Sequence, residues 1–273
     1  MARQAVANKP FYLELGHYAG RSADSARKET YDRVLARAGG RDDKLVGGGA
    51  VMEDMDATVG MLLQKIDELG LARNTYVFYT PDHGSPGRNA NAPLTGGKGT
   101  VWDGGLRVPF IMRGPGIQPG ICSRVRATGV DLFPTLAELA HVTRPLPKGI
   151  EGGSLVPVLM RGGNGEVKRP REELVFHFPH YDHGNDGPAS AILLGPLKLI
   201  RTYENGRLQL FEITKDISAE RALSRAMPEK LAELDRRLSA YLETIGDQMP
   251  LATPNYEPGM STTHARGRKG APG

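Results

Sequence analysis

The chain has 273 residues, 39% hydrophobic and 24% charged, with a net charge of only +4; that profile is globular rather than disordered and long enough for a sizeable core in one or two domains. Part of the positive excess lies in HARGRKG, residues 264–270, and no basic stripe interleaved with aromatics accompanies it, so nucleic acid is not an expected partner. The one cysteine, Cys122, excludes an internal disulfide.

In chain order, MARQAVANKPF is polar and lacks the apolar core of a secretory signal, and no apolar run is long enough to cross a bilayer. The expectation is no membrane contact and, by default, a cytoplasmic location. KPFYLELGHY, residues 9–18, is dense in apolar and aromatic residues and reads as a strand with Pro10 at its tolerated start. A core strand so early suggests that something normally precedes it. Residues 24–37 carry a weak helical pattern. In AVMEDMDATVGMLLQKIDELG, Val51, Met55, Val59, Leu62, Leu63, Ile66 and Leu69 recur at helical spacing until Gly70. NTYVFYT, residues 74–80, reads as a short buried strand, and the glycine-rich segment after it completes an α/β pattern. RVPFIMR gives the next strand, and VDLFPTLAELAHV, residues 130–142, a helix on the same sheet.

Residues 143–170 are rich in turn formers and charges and mark a subdomain boundary. Beyond them ELVFHFPHY reads as a strand, and ASAILLGPLKLIRTYENGRLQLFEI as a β-meander turning at Asn205-Gly206. PEKLAELDRRLSAYLETIG follows as an amphipathic helix with Pro228 in its first turn. The expected organisation is a first part at 1–145, an antiparallel-sheet-plus-helix subdomain at 146–255 and a disordered basic tail at 256–273.

Asp82 and His83 directly follow a strand, where α/β sheets carry their ligands. Asp is a hard oxygen donor and His a nitrogen donor; the same two residues also suit a capped turn between Pro81 and Gly84. Lys98, in GGKGT, can approach an anion with little steric hindrance, and equally suits an exposed loop. His177 and His180, flanking Pro179 in FHFPHYDH, could both point into one cleft or sit at a core edge. His141, ending a helix, suits a C-terminal dipole partner.

The order D-H-G, then P-L-x-x-G-K-G-x-x-W-x-G-G-x-R-V-P-F, closely resembles the sulfatase family of the alkaline phosphatase superfamily. The resemblance covers roughly residues 9–258. FHFPHY, the K-L-I…L-F-E meander and ETIGDQMPLATPNYEP resemble a bacterial branch of arylsulfatase-like and N-acetylgalactosamine-sulfatase-like proteins. It implies a partial alkaline-phosphatase-like mixed sheet flanked by helices, then the smaller antiparallel subdomain. It implies hydrolysis of sulfate esters, with a sulfated sugar as one substrate class. Asp82 and His83 match the family's second pair of ligands to Ca²⁺, and Lys98 the lysine that contacts the sulfate ester. Relatives are typically periplasmic or secreted.

The chain also departs from the family. Its formylglycine nucleophile is made from the cysteine of C-x-P-S-R, whereas Cys122 stands in I-C-S-R. The N-terminal aspartate pair that completes the Ca²⁺ site has no counterpart here. Relatives read H-Y-A-V-H-T-P where this chain reads HYAGRSA. His17 matches the first histidine, and Arg21 replaces the one at the leaving oxygen; a guanidinium can bind a sulfate but keeps its proton near neutral pH. The chain therefore resembles the C-terminal half of a sulfatase. An N-terminal half is its expected partner, and exposed apolar surface, KPFYLELGHY included, is expected where that half would pack.

Overall fold

The computed structural model describes residues 1–7, 9–18, 25–39, 43–86, 90–181 and 187–249. In chain order the elements are α1 (Ala2–Val6), α2 (Lys28–Arg37), α3 (Asp43–Glu68), β1 (Val77–Tyr79), α4 (Asp103–Leu106), β2 (Ile111–Arg113), α5 (Leu132–Leu139), α6 (Val156–Leu159), β3 (Leu174–Phe178), β4 (Ala189–Leu194), β5 (Leu197–Thr202), β6 (Leu208–Glu212) and α7 (Pro228–Ile245). Among the described residues no helix is long and apolar enough to cross a membrane. The chain divides into two compact units, Met1–Tyr79 with Ile111–Lys168, and Thr80–Phe110 with Arg169–Gly273.

In the first unit, α3 buries Val46, Ala50, Val51 and Ile66. α2 is fastened to it by Asp54, whose carboxylate accepts the Arg27 backbone N–H at 2.8 Å and the Thr30 hydroxyl at 2.6 Å. Arg27 caps α2, so Asp54 satisfies a donor that the helix itself leaves unpaired. β1 and β2 form an antiparallel ribbon with Tyr79 opposite Ile111. Residues 10–18, read as a strand, contain no regular secondary structure, and Tyr12, Leu13, Leu15 and Tyr18 are exposed. Strand geometry is held by a neighbour's hydrogen bonds, and among the described residues none pairs with this segment in a sheet.

The units do not follow the 145/146 boundary read from the sequence. Residues 146–168 stay with the first unit because two buried side chains bind them to α5. Asp131 Oδ1 accepts the Gly153 N–H at 2.9 Å, and Thr135 Oγ1 accepts the Leu155 N–H at 2.9 Å. Leu155, Val158 and Val167 then bury one another. The segment 80–110 goes with the second unit. The tail 256–273 lies outside the described residues.

The second unit is built on an antiparallel sheet in the order β3-β4-β5-β6. The period of two along each strand divides its side chains between two faces. Ile192, Leu199 and Leu210 pack on Leu234, Leu238 and Leu242 of α7. Ala191, Leu193, Ile200 and Phe211 pack on Val101 of the glycine-rich segment, with Trp102 against them. Asn205-Gly206 forms the β5–β6 turn with Gly206 at φ 62, a value that glycine adopts without strain. α7 starts at Pro228 and ends at Gly246, left-handed at φ 61, where the Asp247 N–H returns to the Leu242 carbonyl at 3.2 Å.

Candidate functional site

Asp82, His83 and Lys98 all lie in the glycine-rich segment of the second unit, on two loops stitched together through backbone. The Lys98 N–H donates to the Ser85 carbonyl at 3.3 Å, the Gly84 N–H to Gly105 at 3.0 Å and the Gly104 N–H to Thr95 at 2.7 Å. The approach is so close that a Cβ on Gly84 would stand 1.7 Å from the Gly104 carbonyl oxygen, and one on Gly104 would stand 2.2 Å from that of Gly96. The glycines thus hold two loops in mutual contact as well as clearing space around Lys98. Asn91 clamps the same junction: its Oδ1 accepts the Ser85 N–H at 2.9 Å and its Nδ2 donates to Ser85 and Gly96 carbonyls at 2.8 and 3.1 Å.

The Lys98 side chain is exposed. His83 Nδ1 lies 2.9 Å from the Gly84 carbonyl; a carbonyl only accepts, so Nδ1 carries the proton. His83 Nε2 then faces Asp82 Oδ2 at 3.3 Å. Asp82 also accepts the His83 N–H at 3.0 Å and is 85% exposed at its side chain. The pair therefore fits as two ligands of a cation and also as a self-capped turn. One carboxylate and one imidazole do not make a Ca²⁺ site, which takes six to eight oxygens, and the described residues contain no group of three potential metal-ligating side chains.

The two histidines of FHFPHY differ in their surroundings. His177 lies on the α7 side of the sheet, with Nδ1 2.6 Å from Ser190 Oγ, which is in turn 2.7 Å from the Tyr203 hydroxyl. Its Nε2 is buried and lies 4.0 Å from Asp247 Oδ2. Burial pushes its pKa down, against the pull of Asp247. His180 is exposed beyond the end of β3 and stands edge-on to Phe178 at 5.3 Å. Phe178 belongs to the other face and lines a shallow pocket with Thr100, Trp102 and Thr202. Strand alternation puts His177 on the face opposite Phe178, and His180 lies past the end of β3. Arg21 lies outside the described residues, and His17 is in the exposed 10–18 segment of the first unit.

Two residues behind the site carry more than the sequence suggested. Lys198 of β5 is 1% exposed, and its ammonium donates to Asp103 Oδ1 at 2.6 Å. Asp103 opens α4 five residues after Lys98. In sequence, Lys198 looks like one polar residue in an alternating strand; an inward-facing position between Leu193 and Phe211 on the neighbouring strands is visible only from the register.

The family model described as Sulfatase matches residues 47–142, the span that holds Asp82, His83 and Lys98. Steryl-sulfatase of Rattus norvegicus is 39% identical over 141 residues, 48% of this chain and 24% of the relative. A sulfatase of Formosa agariphila is 31% identical over 216 residues, 71% of this chain and 39% of the relative. Among solved structures, Ps i-CgsB superposes with a TM-score of 0.74 at 21% identity, over 88% of this chain and 51% of the other. A structure holding D-glucosamine-2-N,6-O-disulfate gives 0.61 at 22% identity, over 80% and 46%. The chain thus spans about half the length, or less, of these relatives, and its α/β fold is part of the alkaline-phosphatase-like fold of sulfatases. Motif, identity and fold together make this chain a member of the sulfatase family.

Proposed function

We propose that the chain acts on sulfate esters, with Lys98 holding the sulfate and Asp82 and His83 facing a divalent cation, Ca²⁺ by family resemblance. The observation that carries this reading is the backbone-stitched pair of loops that fixes the Lys98 backbone relative to the Asp82–His83 segment and leaves its side chain exposed. A fixed ammonium lowers the energy of negative charge building on sulfate oxygens. A bound divalent cation would polarise the same ester. A sulfated sugar is the substrate class this reading favours, because one structural neighbour holds a disulfated glucosamine and one relative is an ulvan-active sulfatase.

The nucleophile and the remaining cation ligands are assigned to an N-terminal sulfatase half. The first unit supports such a partner. Met52, Met55, Val59, Leu63, Tyr79 and Ile111 line an open groove of about 580 Å³ between α3 and the β1–β2 ribbon. A polypeptide that adds strands to the ribbon would cover it.

The test offers a chromogenic aryl sulfate with Ca²⁺ to the chain alone and to the chain co-expressed with an N-terminal sulfatase half. Turnover is expected in the pair only, falling roughly 10²–10³-fold in Lys98→Ala. Turnover by the chain alone that Lys98→Ala abolishes would remove the need for a partner. No turnover in either would leave a non-catalytic, anion-binding protein.

A further inference from the structure

We propose that Lys198 is the positioning residue of this site, setting the Lys98 loop through a buried ion pair with Asp103. The inference rests on the reading of Lys98 as the sulfate contact. Lys198 reaches the segment that carries Asp82, His83 and Lys98 at Asp103, where its ammonium donates to Oδ1 at 2.6 Å.

The pair is not there for stability alone. Its cross-strand neighbours on β4 and β6 are Leu193 and Phe211, and the two charged side chains are only 1% and 11% exposed. Two well-packed apolar residues would serve a core at least as well, since the desolvation of two ions offsets most of their attraction. What an ion pair supplies and an apolar contact does not is direction. A charge-assisted hydrogen bond fixes the Asp103 carboxylate at one point on β5.

From Asp103 the constraint passes through backbone in both directions. The next residue, Gly104, donates its N–H to Thr95 at 2.7 Å, and Gly105 accepts from Gly84 at 3.0 Å. Cβ positions on Gly104 and Gly105 would fall 2.2 and 2.4 Å from the carbonyl oxygens of Gly96 and Gly97, so neither loop can slide past α4. Lys98 follows Gly97 directly, and His83 precedes Gly84. Moving Asp103 therefore moves the ammonium relative to the carboxylate–imidazole pair. Trp102, adjacent to Asp103, packs on Phe211 with ring centroids 5.4 Å apart. It is the single tryptophan of the chain, so its emission reports the seating of this loop on the sheet.

The experiment uses the full chain with sodium sulfate as probe, followed by the Lys98 backbone amide in NMR spectra and by Trp102 emission. Lys198→Met is compared with the double variant Lys198→Met/Asp103→Leu and with Lys198→Arg. The double variant, which leaves no buried charge unpaired, is expected to recover the wild-type thermal midpoint. Its sulfate affinity is expected to stay weaker by on the order of tenfold, with Trp102 emission shifted to the red. Lys198→Arg, which keeps the charge, is expected to recover part of the affinity. If the double variant regains affinity and emission together with the midpoint, the pair is only structural and the proposal is overturned. If Lys198→Met does not fold, the double variant alone decides. If the wild type shows no sulfate response, the Lys98 reading fails; displacement of the Lys98 amide and of Trp102 emission in the double variant still upholds positioning, and no displacement overturns it.

Discussion

The two sheets of this molecule make opposite use of similar sequence. The four strands of the second unit have both faces covered from within the chain, by α7 on one side and by Val101 and Trp102 on the other. The β1–β2 ribbon of the first unit leaves Ile111 61% exposed over an apolar groove, and the aromatic segment 10–18 stays outside any sheet. An apolar strand pattern therefore specifies a strand only when the chain also supplies the partner that buries it. The difference is measurable by truncating apolar side chains in both places.

The largest effect is expected at Leu238, 0% exposed between α7 and the sheet. Leu238→Ala should lower unfolding stability by about 2–5 kcal/mol, read from denaturant midpoints. A cost below about 1 kcal/mol would mean that the α7 face is not packed as described. Gly84→Ala comes next. Its Cβ would stand 1.7 Å from a backbone carbonyl oxygen that has no room to move without Gly105. A loss of about 1–3 kcal/mol is expected, together with loss of the Lys98–Ser85 contact as seen by faster amide exchange at Lys98. Unchanged exchange would separate the two loops that the geometry joins.

The same rule marks what the sequence could and could not disclose. Helix α3, helix α7 and the Asn205-Gly206 turn were legible because their signals are local: helical spacing, Pro228 at a start, an Asn-Gly pair. Asp82, His83 and Lys98 stand out in sequence only through their motif; that their loops are joined through backbone is seen in the structure alone. The 145/146 boundary was not legible, because the side chains of Asp131 and Thr135 accept the N–H groups of Gly153 and Leu155, contacts that leave no trace in composition. Nor was the Lys198–Asp103 pair, which joins positions 95 apart. His177 and His180 suit a shared cleft or a core edge in sequence, and only the β3–β4 register shows His177 beside Ser190.

Titration distinguishes the units next, with smaller effects. His177 in the second unit has its pKa lowered from 6.5, chiefly by burial, with Asp247 opposing and His180 assisting. Its neutral form is the one that folding favours. Stability from it is complete above pH 6.5 and is lost as pH falls from there through the lower folded value. His177→Gln should remove that part of the slope; an unchanged profile between pH 7 and 5 would show that His177 does not carry it. Asp54 in the first unit is lowered from 3.8 to about 2, first by the Arg27 backbone N–H and then by Thr30 and the Arg27 side chain. Its contribution is present above pH 3.8 and lost as pH falls through about 2. Asp54→Asn should flatten the acid limb in that window, followed by far-UV circular dichroism. A limb that stays steep would assign the transition to other carboxylates.

The smallest expected effect tests the open groove. Ile111→Thr changes a large apolar side chain on an exposed strand face, in a residue type that keeps strand propensity. With the face open to water, the cost should stay within about 0.5 kcal/mol, against several for Leu238→Ala. The same substitution should matter once the groove is filled. In the chain co-expressed with an N-terminal sulfatase half, Ile111→Thr is expected to weaken co-purification of the two, since a hydroxyl would then be buried beside Tyr79 and Met55 without a partner. A cost in the chain alone as large as that of Leu238→Ala would mean that the groove is already covered in solution, by a second copy or by segment 10–18. Sedimentation at two concentrations separates those two: self-association moves with concentration, and an internal strand does not.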